Sequence, residues 1–335
     1  MEFSQVFRTI ESHTGGNPTR TIVSGIPRLR GATMMEKVED FRAHWDWIRT
    51  SLMFEPRGHG VMSGCVLTEP VHPEADYGVI YIEVGRYLPM CGHDTIGLVT
   101  ALIETGQVAA YEPFTKVVLD TPSGVVATTA HVSRGRVLSV SFDNVPAFLY
   151  ARDVEIVCPG VGLLTLDVAW GGNFYGLVEA EAVGLKLTPA HAHQAIRLAQ
   201  AIRPAVDRVL DIVHPQLPQV TGLTHVEFYG KPDHPDADIK NLVVVPPGGV
   251  DRSPCGTGTT AKAAALWSRG ELGVGGSFVH ESVTGALFRA EILGTDQVGP
   301  YPAVRVRITG SAFLYGESTL VIEAGDPLYA GFLLP

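Results

Sequence analysis

Cysteine is scarce in this chain: its 335 residues include only Cys65, Cys91, Cys158 and Cys255. No two of them stand at C-x-x-C spacing, and four cysteines are few for a chain of this length. We therefore expect free thiols rather than a disulfide framework. Cys65 and Cys158 are interpreted as small buried hydrophobes, the common state of a free cysteine.

Positive charge and long apolar runs are also lacking. Lys and Arg number 25 against 35 Asp and Glu, so the net charge is −10, and no basic cluster offers the face that nucleic acid needs. No stretch of about 18 apolar residues occurs, and residues 1–5 do not resemble the start of a signal peptide. We expect a cytoplasmic globular protein that binds neither membrane nor nucleic acid.

Metal and nucleotide patterns are absent as well. The loop 231–238 is rich in carboxylates, but they are not at EF-hand spacing. The segment Gly256-Thr257-Gly258 lacks the spacing of a phosphate-binding Walker loop, and no acidic Rossmann partner follows it. We therefore expect neither a metal nor a cofactor.

The segment 251–260, Asp-Arg-Ser-Pro-Cys-Gly-Thr-Gly-Thr-Thr, leads directly into an alanine-rich run that ends near Arg269. Proline and glycine favour a tight loop, whereas the alanines favour a helix, so Cys255 is predicted to stand at a helix N-terminus. The positive end of a helix dipole stabilises a thiolate, and we expect a lowered thiol pKa there.

A second copy of this arrangement lies upstream. Cys91 also opens an apolar helical run, and Gly106 follows it by fifteen positions, just as Gly270 follows Cys255 by fifteen. The repeat offset of 164 residues is too long for a solenoid and predicts two duplicated domains. We do not interpret Cys91 and Cys255 as buried hydrophobes, because the glycines beside them cannot cover a thiol. The two thiols are predicted to face each other across a cleft.

Taken together, the two cysteine segments resemble the signature motifs of the proline racemase and 4-hydroxyproline 2-epimerase family. The matching segments are Met90-Cys91-Gly92-His93 and Asp251 to Thr259, supported by 12–16, 56–59 and 330–332. The resemblance covers essentially the whole chain, and the paired motifs make it specific.

This resemblance implies an α+β fold of two pseudo-symmetric domains, as in diaminopimelate epimerase. Each domain would be a curled, mostly antiparallel and barrel-like sheet around a central helix, with the active site in the cleft between them. The implied domains are 1–147 with 315–335, containing Cys91, and 148–314, containing Cys255. The resemblance also implies a possible homodimer.

The residue types suit inversion at the α-carbon of an amino acid. One thiolate would remove the proton from one face while the other thiol delivers a proton to the opposite face, which makes Cys91 and Cys255 the predicted acid and base of an isomerase. No cofactor is needed if the substrate carboxylate is held by backbone N–H groups at the two helix N-termini. Those groups belong to Gly92, His93, Gly256 and Thr257. The resemblance further implies that Asp251 and His93 contact the ring nitrogen.

The substrate is predicted from two positions. Proline racemases of this family carry bulky phenylalanines where this chain has Ser63 and Val245. A smaller Ser63 leaves room for, and can hydrogen-bond to, a ring hydroxyl. We therefore favour a 4-hydroxyproline 2-epimerase that interconverts trans-4-hydroxy-L-proline and cis-4-hydroxy-D-proline, with proline racemase as the alternative. A trans-3-hydroxy-L-proline dehydratase is less favoured because that branch replaces the second cysteine, here Cys255, with Thr or Ser.

Other classes of protein explain less of the sequence. A cysteine hydrolase built on Cys91 and His93 would leave Cys255 without a role. A thiol redox protein would need two sulfurs close enough to form a disulfide. A non-catalytic amino-acid binding protein stays possible, but its binding should survive the loss of either cysteine.

Overall fold

The computed structural model describes residues 3–334. The chain divides into two compact units: the first runs to Phe142 and resumes at Gly310, and the second is Asp143–Thr309. These limits mark where the chain passes from one compact unit to the other. The domain limits of the duplication, 1–147 with 315–335 and 148–314, stay a prediction.

The strands and helices are numbered in chain order. The elements up to the end of the first segment are β1 (Phe3–Thr14), β2 (Asn17–Ser24), α1 (Met34–Met53), β3 (Ser63–Thr68), β4 (Tyr77–Glu83), β5 (Tyr87–Leu88), α2 (Gly92–Glu104), β6 (Phe114–Thr121), β7 (Gly124–Ser133) and β8 (Arg136–Asp143). The second unit follows with β9 (Phe148–Cys158), β10 (Gly162–Trp170), β11 (Phe174–Glu179), α3 (Ala192–Asp207), β12 (Val213–His214), β13 (Leu217–Thr221), β14 (His225–Gly230), β15 (Ile239–Val245), β16 (Gly249–Val250), α4 (Gly256–Ser268), β17 (Ser277–Glu281), β18 (Leu287–Val298) and β19 (Tyr301–Gly310). The last strand, β20 (Ala312–Glu323), returns to the first unit.

In the first unit the strands are mainly antiparallel. β1 pairs with β2 and with β20, β3 pairs with β4, and β6, β7 and β8 form a meander. Two pairs are parallel, β2 with β3 and β4 with β6. β7 and β8 are joined by Arg134 and Gly135, which both have positive φ, 53° and 71°, as a two-residue hairpin turn requires.

The second unit repeats the same succession of pairings. β9, β10 and β11 are antiparallel neighbours, β11 is parallel to β14, and β14 is antiparallel to β15. β15 is then parallel to β17, and β17, β18 and β19 form a meander. Because both the order and the direction of pairing repeat, the predicted α+β fold with a mostly antiparallel sheet in each half is confirmed.

Each unit contains one helix that is buried almost throughout. All residues from Gly92 to Ile103 of α2 are buried, as are those from Gly256 to Ala265 of α4. α2 contacts β1, β2, β3 and β20, whereas α4 contacts β9, β10, β11 and β18. A helix that is enclosed on all sides is expected to be apolar or small nearly all round, and most residues of both helices have this character; the buried exceptions are His93 and Asp94 in α2 and Lys262 in α4. The predicted central helices are therefore present in both units.

The helix α1 covers the outside of its unit. Thr33 caps it by accepting a hydrogen bond from the Glu36 N–H at 3.1 Å, and its apolar face packs on the first core through Val38, Phe41 and Ile48. Most of the buried apolar residues recur at spacings of three, four or seven, which puts them on one face of the helix. Within residues 3–334, no helix is long and apolar enough to cross a membrane.

Candidate active site

Both singled-out cysteines stand where the sequence predicted, at helix N-termini. Cys91 is the N-cap of α2 and Cys255 is the N-cap of α4. The first helical hydrogen bonds run from Thr95 N to Cys91 O at 3.0 Å and from Thr259 N to Cys255 O at 2.8 Å. In each helix three backbone N–H groups precede that first bond and point toward the cysteine end, which makes each site suited to an anion.

The predicted exposure of these thiols is wrong. Cys91 is 5% exposed and Cys255 is 6% exposed, although their neighbours in sequence are glycines. The cover comes from residues that are distant in the chain or on the facing strand; Tyr175, for example, lies against the Cys255 thiol. All four cysteines are buried and unpaired by disulfides.

The expected lowering of the thiol pKa is also not observed. Burial raises the pKa of both Cys91 and Cys255 well above that of a free cysteine, because the thiolate loses its hydration. Carboxylates add to the rise, Asp94 for Cys91 and Asp251 for Cys255. Backbone N–H groups of the helix N-termini act in the opposite direction but are outweighed. A thiolate formed here would be a strong base.

The two cysteines differ in backbone conformation. Cys91 is extended, with φ −139°, whereas Cys255 has φ 63° and ψ 102°. A positive φ in a residue with a side chain costs about 1 to 2 kcal/mol and persists only where the surroundings impose it. The preceding Asx-type turns impose it here: Asp251 accepts a bond from Ser253 N at 2.8 Å, and the Ser253 hydroxyl accepts one from Cys255 N at 3.1 Å.

Around Cys91, His93 links the thiol to a buried carboxylate. The His93 Nδ1 lies 3.3 Å from the Cys91 Sγ, and its Nε2 lies 3.2 Å from Asp94 Oδ1 and 2.8 Å from the Asn17 side-chain amide. The Thr14 hydroxyl holds the His93 carbonyl at 2.9 Å. The imidazole is therefore fixed in orientation between the sulfur and the carboxylate.

Asp94 is held as an anion in the core of the first unit. It is fully buried, and its two oxygens accept hydrogen bonds of 2.7 Å from the hydroxyls of Thr19 and Ser63. Burial alone would raise the pKa of this carboxyl, but His93 and the two hydroxyl donors lower it below its ordinary value. The Ser63 hydroxyl thus donates its hydrogen bond to Asp94. Toward a ligand, Ser63 can therefore act only as a hydrogen-bond acceptor.

Around Cys255 the corresponding partners are hydroxyls. The Tyr175 hydroxyl lies 3.2 Å from the Cys255 Sγ and 2.6 Å from the Thr257 Oγ1. Thr257 is itself 3.8 Å from the sulfur, and Asn173 donates to its hydroxyl at 3.4 Å. Tyr175 is fully buried, and burial raises the pKa of its phenol well above the ordinary value. It therefore stays a proton donor toward Cys255.

Four residues of the site are not predicted from the sequence: Asn17, Asn173, Tyr175 and Asp94. A signal for the two asparagines is present in the sequence: the tripeptide Gly-Gly-Asn occurs at 15–17, where β2 begins, and at 171–173, directly before β11, the matching strand of the second unit. Each asparagine reaches the second residue of its central helix, His93 in one unit and Thr257 in the other. No comparable signal marks Tyr175, because its partner in the repeat is a threonine.

Possible metal ligands gather at one place among the described residues. Cys91, His93 and Asp94 each offer an atom, and these atoms lie within 4.8 Å of one another. Both Asp94 oxygens already accept short hydrogen bonds from hydroxyls, so the group falls short of the three protein ligands of a catalytic zinc centre.

The acidic loop 231–238 has a structural explanation. Asp238 accepts a bond from Val279 N at 2.8 Å, and the His234 Nδ1 accepts one from Asp236 N at 3.1 Å. The loop 72–76 of the first unit repeats these contacts, with Asp76 on Val118 N and His72 on Glu74 N. These polar groups join loops to strands.

Known proteins resemble the chain over its whole length. The model of the proline racemase family matches residues 9–333. A proline racemase of Clostridioides difficile is 46% identical over 100% of both chains, and a 4-hydroxyproline 2-epimerase of Streptosporangium roseum is 43% identical, also over 100% of both.

Among solved structures, a hydroxyproline epimerase of Agrobacterium vitis with bound trans-4-hydroxy-L-proline has a TM-score of 0.94 and 31% identity, covering 100% of this chain and 96% of that one. A phenazine biosynthesis protein of Bacillus anthracis, of the PhzF family, has a TM-score of 0.61 at 12% identity and shares the fold alone. The chain therefore belongs to the proline racemase family and is an isomerase of the amino-acid racemase and epimerase class.

Proposed function

We propose that this protein is a cofactor-independent 4-hydroxyproline 2-epimerase that uses Cys91 and Cys255 as its two acid–base groups. The observation that carries the proposal is the matched placement of the two cysteines, each the N-cap of a buried central helix. A single nucleophile would leave the second of these sites without a purpose. The substrate would be trans-4-hydroxy-L-proline, and the product cis-4-hydroxy-D-proline.

In the proposed reaction one thiolate takes the Cα proton and the opposite thiol supplies another to the other face. The Cα–H bond breaks, its electron pair moves into the carboxylate, and a new C–H bond forms as that pair returns. Burial suits this step, because it raises the pKa of both thiols and so makes the thiolate a stronger base toward a weakly acidic carbon. The two cysteines exchange roles in the reverse reaction.

Charge that develops on the substrate carboxylate would be stabilised by the helix N-termini. The N–H groups of Gly92 and His93 in α2, and of Gly256 and Thr257 in α4, precede the first helical hydrogen bond of their helices. Both segments would act on the same carboxylate. The ring nitrogen would be bound by Asp251 and His93, as the family resemblance implies.

Proline is the second candidate substrate, and the 46% identity to the Clostridioides difficile proline racemase favours it. Ser63 is weaker support for a hydroxyproline substrate than its small size suggests, because its hydroxyl already donates a hydrogen bond to Asp94. Its oxygen can still accept a bond from a ring hydroxyl, and a serine leaves more room than a phenylalanine. On that balance we favour 4-hydroxyproline.

The deciding experiment is proton NMR of the purified protein in D2O with trans-4-hydroxy-L-proline and with L-proline. Deuterium entering Cα together with formation of the cis-4-hydroxy-D epimer, and little exchange in proline, is the expected result. Exchange and racemisation of proline instead would assign a proline racemase. Loss of water from trans-3-hydroxy-L-proline alone would make the protein a dehydratase.

The variants Cys91→Ser and Cys255→Ser distinguish a two-thiol epimerase from a non-catalytic amino-acid binding protein. Each change is expected to lower epimerisation by about 10²- to 10⁴-fold, the usual contribution of a positioned acid or base, while leaving the urea unfolding midpoint close to that of the unchanged protein. Pyrrole-2-carboxylate, which is planar at the inverted carbon, should slow alkylation of both thiols. Substantial epimerisation by either variant would contradict the two-thiol mechanism.

A further inference from the structure

The two central cysteines have polar helix neighbours of different length. In each unit the side chain at the second position of the central helix contacts the asparagine of a Gly-Gly-Asn segment. In the first unit this side chain is the imidazole of His93, whose Nδ1 lies 3.3 Å from the Cys91 Sγ. In the second unit it is the shorter Thr257, whose Oγ1 stays 3.8 Å from the Cys255 Sγ. The helix side chain alone therefore does not reach the thiol of the second unit.

Tyr175 lies between Thr257 and this thiol. Its hydroxyl is 2.6 Å from the Thr257 Oγ1 and 3.2 Å from the Cys255 Sγ. Tyr175 stands two residues after the asparagine of its Gly-Gly-Asn segment, and the residue at the same place in the first unit is Thr19. The Thr19 hydroxyl donates to Asp94 at 2.7 Å. The same position of the repeat thus serves a carboxylate in one unit and a thiol in the other.

The count of hydroxyl protons shows which group the sulfur receives. Among residues 3–334, the partners of the Tyr175 and Thr257 hydroxyls are each other, Asn173 and the Cys255 Sγ. Asn173 donates to the Thr257 Oγ1 at 3.4 Å, and each hydroxyl has a single proton. The short contact between the two hydroxyls uses one proton, which leaves the other for the sulfur. Because Tyr175 is the nearer of the two to the sulfur, Thr257 donates to Tyr175 and Tyr175 donates to Cys255.

The ring of Tyr175 is held independently of its hydroxyl. It is fully buried and stacks on the His225 ring, with the ring centroids 4.8 Å apart. It also belongs to the small core cluster that contains Cys255 and Ala261. Tyr175→Phe therefore removes one oxygen atom from the hydrogen-bond chain and retains the packing of the ring.

The ionisable groups around the Cys255 thiol come from several elements. Burial raises the pKa of this thiol and the Asp251 carboxylate raises it further, whereas the Tyr175 hydroxyl and the Gly258 N–H lower it. The Glu227 carboxyl of β14 also raises it. Three further groups act on Glu227 or on Tyr175 rather than at the sulfur, and these are Lys262, His280 and His225. Tyr175→Phe removes one of these influences and leaves the others in place.

We propose that Tyr175 is a positioning residue for Cys255: its hydroxyl, held by Thr257, donates a hydrogen bond to the sulfur, fixes the orientation of that side chain and stabilises its thiolate form relative to the thiol. A hydrogen bond to an anion is stronger than one to a neutral group, so this donor favours the thiolate. Tyr175 acts through Cys255 and exchanges no proton with the substrate. The inference rests on the proposed two-thiol function, in which Cys255 alternates between thiolate and thiol.

The test is alkylation by iodoacetamide between pH 6 and 10, followed at each cysteine by peptide mass spectrometry, and it needs no turnover. Tyr175→Phe should raise the pKa of Cys255 by about one unit, the usual effect of one hydrogen bond to a charged group. A more basic thiolate is rarer but more nucleophilic. Alkylation of Cys255 should therefore slow about three- to tenfold at pH 8, with its pH profile moved to higher pH. Cys91 should keep its rate within about twofold.

Two variants separate this hydroxyl from general effects of the substitution. Tyr81→Phe is the matched control in the first unit, because Tyr81 is also fully buried and its hydroxyl lies 2.7 Å from that of a helix residue, Thr95. It should leave the rate of Cys255 within about twofold. Thr257→Val removes the other hydroxyl but leaves Tyr175 able to donate to the sulfur, so Cys255 should again stay within about twofold.

Alkylation of Cys158, which is buried in the second unit, reports unfolding of that unit. If Tyr175→Phe unfolds it, Tyr175→3-fluorotyrosine retains both the ring and the hydroxyl. The fluorine makes the phenol a stronger hydrogen-bond donor, so the alkylation profile of Cys255 should move to lower pH. An unmoved profile in that protein would contradict the proposal.

Steady-state kinetics separate this inference from the proposed function. Tyr175→Phe should lower kcat about tenfold and leave KM within about threefold, because Tyr175 acts on the thiol rather than on substrate binding. Unaltered alkylation of Cys255 in this variant, or an equal change in Thr257→Val or Tyr81→Phe, would overturn the role of Tyr175 and leave the two-thiol mechanism intact. The predicted alkylation pattern in a protein that neither epimerises nor racemises any proline would contradict the proposed function alone.

Discussion

At the residue scale, local sequence and distant contacts determine different properties of the two central cysteines. Glycine, proline and alanine around Cys91 and Cys255 determine a loop followed by a helix, which is local information. Burial and pKa depend on groups from other strands, such as Tyr175 on β11. Spacing along the chain carries no information about such neighbours, so the thiols were wrongly expected to be exposed and acidic.

The backbone of Cys255 leads to a prediction about stability. Both cysteines are N-caps, where glycine is tolerated better than alanine, but only Cys255 has a positive φ, 63° against −139° at Cys91. The advantage of Cys255→Gly over Cys255→Ala in the free energy of unfolding should therefore exceed the advantage of Cys91→Gly over Cys91→Ala by about 1 kcal/mol. Urea unfolding of the four variants measures both differences. An equal advantage of glycine at the two positions would show that the surroundings do not strain Cys255.

Glu227 makes stability depend on pH. The folded protein keeps this proton up to about pH 8, whereas a carboxyl with the ordinary value of 4.5 releases it much earlier. Between these values the unfolded state binds fewer protons, so the free energy of unfolding falls as pH rises. Glu227→Gln removes that loss, and its stability relative to the unchanged protein should increase from pH 5 to pH 8 by on the order of a few kcal/mol.

The measurement is urea unfolding of both proteins at pH 5 and pH 8. Glu155→Gln, on an exposed part of β9, is the matched control and should show no such trend. A difference between the Glu227→Gln and unchanged proteins that is the same at both pH values would mean that Glu227 is already ionised in the folded state.

At the element scale, each central helix can pack closely on its sheet because a glycine stands at the contact. The glycine is on the helix in one unit and on the strand side in the other. In the first unit the helix supplies Gly97, where an added Cβ would lie 2.9 Å from the Ser12 and Thr19 hydroxyls. In the second unit the strand side supplies Gly171, where it would lie 2.2 Å from the Thr257 carbonyl oxygen and 2.5 Å from Ala261 N. Strand patterns and helix lengths were predictable from the sequence. Which of two facing elements must carry the glycine was not, because it depends on tertiary packing.

Gly171→Ala should therefore be strongly destabilising. Both close atoms belong to the backbone of α4, so the helix must move, which costs about 3 kcal/mol or more and displaces Thr257 beside Cys255. Gly316→Ala is the control, because nothing lies within 4 Å of an added Cβ there. Thermal unfolding and epimerase assays of the two variants check both effects. Equal melting temperatures would show that α4 moves away from β10 and β11 at little cost.

At the scale of the whole molecule, the duplication was predictable from two cysteines and two glycines, since their spacing repeats. Two differences between the repeats could not be interpreted from the sequence. Asp94 on α2 corresponds to Gly258 on α4, and Cys65 on β3 corresponds to Glu227 on β14. The carboxyl lost from the helix is thus replaced by one on a strand. A comparison of one segment with its repeat shows only two unrelated substitutions. The structure shows that both units retain a carboxyl beside the first turn of the central helix, on α2 itself in the first unit and on β14 in the second.

The return of the chain to the first unit gives the last prediction. β20 pairs with β1 from Val6 opposite Val321 to Thr14 opposite Ala312, and Ile322 belongs to the same core as Phe7. A chain that ends at Gly310 leaves the β1 edge unpaired and opens that core, whereas the second unit retains all of its own strands. Proteolysis should then cut within residues 1–142 and spare a fragment that spans 143–309. A chain that ends at Phe332 loses Leu333 and Leu334, which are exposed, together with the final residue, and it should resist proteolysis as the full chain does. Equal sensitivity of both units in the shorter chain would mean that the two units unfold together, as one cooperative system.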